Sequence, residues 1–296
     1  MRISRIWQSA VFELFDALRT RRAILLVVLY LAVSLLGMSA AISALGALED
    51  KVVETLRIER VEGRSGTISA TLWRSEPFRR VVRHAVDDKL VFDDISRCHP
   101  AELVSAWIVF FFVPLLTVLM SVSRIAGDIR SGAVRFMLMR VTRIEWSLGK
   151  YVGNALLLGA ALLAGAVGAW GVAVWKLGGA DAVSLLPAMV GWSLKAFSLS
   201  LAWLGFSLGV SHFFKSGTKA DAMAVVLMLV LSVAAKLYVH FGGAWAFVAR
   251  IVPTACEGPL WRTSAVPVLT GAAWLVMLGF LYLSVGVAHF ARKDAR

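Results

Sequence analysis

Six long apolar runs constrain this chain more than any other feature. Residues 23–48, 103–123, 151–175 and 263–291 contain no charged residue, and 182–214 and 222–249 contain one each, Lys195 and Lys236. About 20 apolar residues in a helix cover the hydrocarbon core of a bilayer, and every run is long enough. Lipid offers no hydrogen bonds to a bare backbone, so such runs cross the membrane as helices. Composition agrees, because 59% of the residues are hydrophobic where soluble domains hold about 45–50%. The expected fold class is an all-α membrane protein with six transmembrane helices.

The formal net charge of +12 has its explanation in topology, and no nucleic-acid partner is expected. Loops on the cytoplasmic side of a membrane are rich in Lys and Arg. With both termini inside, four cytoplasmic segments (the first 22 residues, 121–150, the turn near 215 and the tail) hold sixteen cations against six acids. The long segment 49–101 holds ten of each and is suited to translocation. The pattern predicts a multi-pass protein of a bacterial inner (cytoplasmic) membrane with N and C termini in the cytoplasm.

Residues 1–22 form a unit of their own. Ile3, Ile6, Trp7, Ala10, Val11, Leu14, Phe15 and Leu18 follow helical spacing, and Arg2, Arg5, Ser9, Glu13, Asp16 and Arg19 take the other face. This predicts an amphipathic helix in the headgroup plane with Trp7 as anchor, or one packed on other protein. It does not read as a cleaved signal peptide, because the apolar core starts at Ala23 and is long enough to span. Residues 23–296 then form the six-helix domain, with 49–101 as a small extracytoplasmic insertion. Within it, alternation at 67–73 suggests a short strand, and Phe78, Val81, Val82 and Ala85 suggest a helix.

Other features leave alternatives open. Cys98 and Cys256 fall on the outer side, either as a disulfide or as two free thiols. The segment 241–262, with Gly242, Gly243, Pro253, Gly258 and Pro259, reads as a re-entrant hairpin or a surface-lying stretch. The third span carries small residues, including Ala155, Gly159, Gly165 and Ala169, which allow close helix packing or a dimer seam. Lys195 lies about nine residues, or ~13 Å, into the fourth span. It either faces a translocation path, favouring an anionic or amphiphilic substrate, or snorkels outward along its helix. Lys236 reads as a snorkelling lysine near the outer end of the fifth span.

No catalytic constellation is visible. Gly149-Lys150 lacks the upstream glycine of a phosphate-binding loop, and no carboxylate falls inside a span to relay protons. The chain is not expected to be an enzyme by itself, and no bound metal or cofactor is expected. The remaining motif is SRIAGDIRSGAVRFMLMRVTRIEWSLGKYVG, between the second and third spans. Val134, Met137, Leu138 and Val141 form an apolar stripe, decorated by Arg130, Arg135, Arg140 and Arg143. The pattern predicts a short amphipathic helix held at the membrane surface.

Asp128, Gly132-Ala133, Leu138-Met139, Arg140-Val141-Thr142-Arg143 and Gly149-Lys150 resemble, in order and spacing, the corresponding segment of ABC-2 (type-2) permeases, the integral subunits of ABC exporters. Departures are Asp128 for Glu, Ala133 for a hydroxyl residue and Arg140 for Pro. The resemblance implies a transmembrane subunit without its own ATPase. A cytoplasmic ABC ATPase, in two copies and carrying ATP and Mg, docks on a coupling helix. A second permease subunit, identical or sibling, completes the complex in membrane lipid. Asp128, Gly132, Arg135, Leu138, Arg140, Arg143 and Lys150 become the docking residues, with Gly132 assigned to close approach and Asp128 and Arg143 to charged or capping contacts. Lys150 has the alternative of anchoring the third span at the headgroups. Rival functions are a membrane mechanotransmitter serving a periplasmic or envelope partner through 49–101, and an ATPase-independent secondary transporter.

Overall fold

The computed structural model describes residues 3–56, 94, 98–177, 180–241 and 250–293. The elements are α1 (Ile3–Arg19), α2 (Arg21–Leu56), α3 (Pro100–Ser131), α4 (Ala133–Leu138), α5 (Arg143–Leu177), α6 (Ala180–Ser211), α7 (Gly217–Phe241) and α8 (Ala265–Lys293). Two 3₁₀ turns, Pro253–Cys256 and Gly258–Trp261, precede α8. Among the described residues, six helices are long and apolar enough to span, namely α2, α3, α5, α6, α7 and α8. The protein is an all-α, multi-pass membrane protein. The strand and helix expected at 67–73 and 78–85 lie outside the described residues, as does the side chain of Lys236.

The helices overrun the apolar stretches that announce them. The second apolar run ends at Ser123, yet α3 continues to Ser131. The third begins at Tyr151, yet α5 starts at Arg143. At 1.5 Å per residue, the 32 residues of α3 measure about 48 Å, well beyond the ~30 Å hydrocarbon core. α2 likewise runs on to Leu56, into the segment assigned to the insertion. Both α3 and α5 therefore project as rigid rods from the end of the bundle that carries Arg22, Arg124 and Arg143, here called the basic end.

α3, α5 and α6 form the centre, and α2, α7 and α8 flank it. Small and hydroxyl residues bring these helices together, because helix association in lipid relies on close packing and hydrogen bonds. Ser121 and Ser207 share a hydrogen bond between α3 and α6, and Ser211 Oγ accepts from Ala126 N–H at 2.9 Å. The seam of α6 with α8 is closer still. A Cβ on Gly205 would overlap the Gly279 carbonyl, and one on Gly286 would lie 2.6 Å from the Gly209 oxygen. The small residues of α5 serve packing within the chain: Gly165 faces the Tyr30 ring and Gly168 faces Leu35 of α2, while Gly159 faces Phe197 of α6.

The opposite end is closed by aromatics. Trp261, from the second 3₁₀ turn, sits against Phe110 (4.7 Å between ring centroids), Trp192 (5.3 Å) and Trp107 (5.7 Å). Trp192 Nε1 donates to Glu102 at 2.7 Å, and Glu102 also accepts from His99 N–H in the cap of α3. The described part of 241–262 thus packs onto the bundle as 3₁₀ turns. The stretch 242–249, which a re-entrant hairpin would need, is outside the described residues.

Candidate functional site: the hairpin at the basic end

The segment between α3 and α5 is a hairpin of two rods and a six-residue crosspiece. Gly132 ends α3 with φ +75°, the left-handed region that glycine enters without penalty. No atom lies within 4 Å of where its Cβ would stand. Gly132 therefore serves the backbone turn, and the space beside it is open to the close approach expected there. α4 follows with Val134 buried and Met137, Leu138 and Val141 packed against the core, so the stripe read from the sequence faces the bundle. Leu138 accordingly packs partly against the bundle.

α5 restarts through a reciprocal cap. Thr142 Oγ1 accepts from Glu145 N–H at 3.3 Å, and Glu145 Oε2 accepts from Thr142 N–H at 3.0 Å. This capping box fixes where the rod begins. The Thr-x-x-Glu spacing at 142–145 was a legible signal that the motif reading passed over. Arg143, next in the chain, donates to the Ala291 carbonyl at 3.3 Å, with its guanidinium 5.4 Å from the Phe290 ring centroid. It ties the end of α8 to the start of α5 and completes that helix's open carbonyls.

The base of the hairpin is held by ions. Lys150 Nζ donates to Glu13 at 2.6 Å and lies 2.9 Å from Asp128. Asn154 Nδ2 donates to the other Glu13 oxygen at 3.2 Å. Arg124 pairs with Asp16 at 3.0 Å and approaches Glu13 at 3.8 Å. Glu13 and Lys150 are 2% and 4% exposed. A buried charge is tolerated only when paired and hydrogen-bonded, and both conditions hold. Beside the network, Arg22 of α2 pairs with Asp221 of α7 at 2.6 Å and donates to Ser123 at 3.1 Å. Asp16, Arg22, Ser123, Arg124, Asp128 and Lys150 border a cavity of about 220 Å³ between α1, α2, α3 and α5.

The burial of Lys150 corrects its assignment as a docking residue or headgroup anchor, because a side chain enclosed by two carboxylates presents nothing outward. Asp128 is committed to the same lysine. Glu13 was not legible as a partner. Its sequence position puts it on the polar face of α1, and its mate lies 137 residues away.

The contact between α1 and α5 explains this burial. Ala10, Glu13 and Ala17, spaced on one line of α1, are at most 2% exposed. They meet Gly149 and Gly153 of α5. A Cβ on Gly153 would stand 2.7 Å from the Ala10 oxygen, and one on Gly149 would collide with Ser9. The two backbones are near enough for a carboxylate on one to enter the other. Trp7, Phe15 and Leu18 remain exposed. The helix thus packs along an edge between its apolar and polar faces.

The tip is different in kind. Arg130, Arg135 and Arg140 are exposed, and Phe136 and Met139 are 73% and 76% exposed. Two large apolar side chains within a ring of cations form a compact convex surface on a rigid support.

The other candidates lie at the far end. Lys195 donates to the Arg262 carbonyl at 2.9 Å, and its ammonium is 3.8 Å from the Trp192 ring centroid. Residue counting placed it nearer the midplane, but α6 starts well beyond the level of α3, so Trp192 already stands beside Glu102 of α3's first turn. Lys195 belongs to the aromatic layer. Cys98 and Cys256 form no disulfide with each other, and their thiols donate hydrogen bonds to the carbonyls of Asp94 and Arg250. Burial, with Glu102 beside it, pushes the Cys98 thiol up to about 12, and burial also raises Cys256. Thiols held protonated are poor nucleophiles. Among the described residues no group of three His, Cys, Asp or Glu could hold a metal.

The chain is thus a bundle of six helices long enough to span, with a hairpin projecting from its basic end. The model of the ABC-2 family transporter proteins matches residues 7–253, and the chain belongs to that family. It is a transmembrane subunit of an ABC transporter, and membership implies partnership with an ABC ATPase. No curated protein matches the chain.

Proposed function

We propose that this chain forms the membrane half of an ATP-driven exporter and is worked through the tip Arg130–Arg140 by a separate cytoplasmic ATPase subunit. The observation that carries this reading is the contrast between a locked base and an open apolar tip. Phe136 and Met139 stand in water, as an interface waiting for a partner's groove would, and the surrounding arginines favour an acidic rim. In this reading the basic end faces the cytoplasm, and ATP and Mg belong to the partner alone. The complex contains two ATPase copies and two membrane subunits, since ATP closure needs a pair of ATPases beneath a pair of hairpins. Closure pulls the tips together, and rods running about two turns past the apolar stretches carry that motion into α3 and α5. Asp128, Arg143 and Lys150 then act as bracing within the chain, while Arg135 and Arg140 meet the partner.

Co-expression with a cytoplasmic ABC ATPase from the same organism, followed by affinity purification, tests the proposal. The ATPase should co-purify with the parent chain and be lost with Phe136→Asp/Met139→Asp. Equal recovery with both chains would overturn the docking role of the tip.

A further inference from the structure

α1 is more than a float at the membrane surface. Five charged side chains meet where it crosses the base of the hairpin: Glu13 and Asp16 from α1, Arg124 and Asp128 from α3, and Lys150 from α5. Glu13 is the only one of the five in ion-pair contact with groups on both rods, Arg124 at 3.8 Å and Lys150 at 2.6 Å. It also holds Asn154, one turn further along α5. Its burial and the direct approach of α1 to Gly149 and Gly153 leave little slack in the joint. A surface-floating helix has no use for a buried carboxylate that must be desolvated to be placed there.

We infer that Glu13 is a positioning residue that locks α1 to both rods of the hairpin, so that α1 and the coupling segment move as one body in the driven cycle. This rests on the proposed function for its ATP-dependent part only. The lock itself is a property of the chain. Its consequence is that the membrane-facing side chains of α1, Trp7 and Leu18 among them, are dragged through the headgroup layer with each stroke.

Charge counting selects the variant. The five groups carry three negative and two positive charges. Glu13→Gln therefore leaves two balanced pairs, Asp16 with Arg124 and Asp128 with Lys150, and keeps the fold. Lys150→Met would strand carboxylates. A second, steric route to the same release is Gly153→Leu, which leaves every charge in place but forces α1 off α5.

The test uses spin labels at Phe12→Cys on α1 and Ile144→Cys at the start of α5, both exposed, with Cys98 and Cys256 replaced by Ser. The first arm uses the purified chain in lipid nanodiscs. With Glu13 present the distance distribution is narrow, and Glu13→Gln and Gly153→Leu each at least double its width. An unchanged width in Glu13→Gln overturns the lock, whether or not an ATPase ever binds. The second arm uses the ATPase complex with a non-hydrolysable ATP analogue. The parent distance stays fixed, and the Glu13→Gln distance shifts with nucleotide. A parent distance that itself follows nucleotide overturns the one-body motion. A merely structural role would lower the melting temperature of Glu13→Gln without making its α1 distance follow nucleotide, and that result also counts against the inference. Failure of any ATPase to bind the parent chain would reject the proposed function and leave the first arm decisive for the lock.

Discussion

Phe136→Ala is the sharpest perturbation of the docking tip. The side chain is 73% exposed, and aromatic side chains bury about 150–250 Å² when enclosed. Docking therefore removes on the order of 150 Å² from water, worth roughly 3–4 kcal/mol at about 25 cal/mol per Å². Alanine keeps part of that area and interfaces convert area to affinity incompletely. A loss of about 2 kcal/mol remains, or roughly 30-fold in Kd. The assay is binding of the soluble ATPase to nanodisc-embedded chain by biolayer interferometry. The control is Phe111→Ala, since Phe111 is 72% exposed but lies within the spanning part of α3. It presents the same area to lipid and should leave Kd unchanged. A change of less than threefold for Phe136→Ala, or equal losses for both variants, refutes the reasoning that water-exposed apolar area at the tip is the binding energy.

Three further outcomes follow from the geometry. Gly205→Ala should destabilise the protein by at least about 2 kcal/mol, because its Cβ meets the rigid backbone of Gly279 and overpacking of a tight seam costs about 1–3 kcal/mol. Gly159→Ala, where the nearest atom is the tip of Phe197 at 3.3 Å, should cost less than ~1 kcal/mol, and thermal melts in detergent compare the two. Gly132→Ala should cost about 1–2 kcal/mol through its φ of +75° alone, since no neighbour clashes. A melting temperature equal to that of the parent would show that the hairpin turns without a left-handed residue.

His212 gives a pH dependence. Burial pushes its imidazole down from 6.5 to about 4, with His289 and Lys150 adding to the depression and the Leu208 carbonyl opposing it. The unfolded chain takes up this proton first, so the contribution is complete above about pH 6.5 and is lost as pH falls toward 4. At about 1.4 kcal/mol per unit the full loss is on the order of 3 kcal/mol. Melts between pH 8 and 4.5 should show a fall in the parent that is shallower in His212→Gln, and identical slopes would remove His212 as the source.

The two ends of the molecule differ in how much of them could be read beforehand. The spans were legible because a bilayer imposes one requirement on every residue within it, and a run such as 103–123 answers that requirement locally. The stripe Val134, Met137, Leu138 and Val141 was legible for the same reason, as helical spacing is local, whereas its packing against the bundle was not. The length of the rods was not. Charges interrupt residues 124–131 and 143–150, so no continuous apolar run marks them, and their helices persist through buried Ile125, Ala126 and Trp146 together with α1 and the ion network. Gly132 was noticed but its turn was not, since a glycine in sequence does not say that its backbone is left-handed. Lys195 was misplaced because depth was counted along one helix, whereas the level of the membrane end is set by how neighbouring helices are offset.

By itself the sequence determined that this chain crosses a membrane six times, that one end of the bundle is basic, and that the segment between the second and third crossings carries an apolar stripe. These follow from composition and short-range periodicity, which act residue by residue. Only the tertiary structure decided which charges meet. Glu13 finds Lys150 and Arg124 because Gly149 and Gly153 let two backbones come close, and partners so far apart along the chain leave no trace in local pattern. The same packing decided which of the basic segment's residues are bracing and which, Phe136 and Met139 with Arg135 and Arg140, are left facing water.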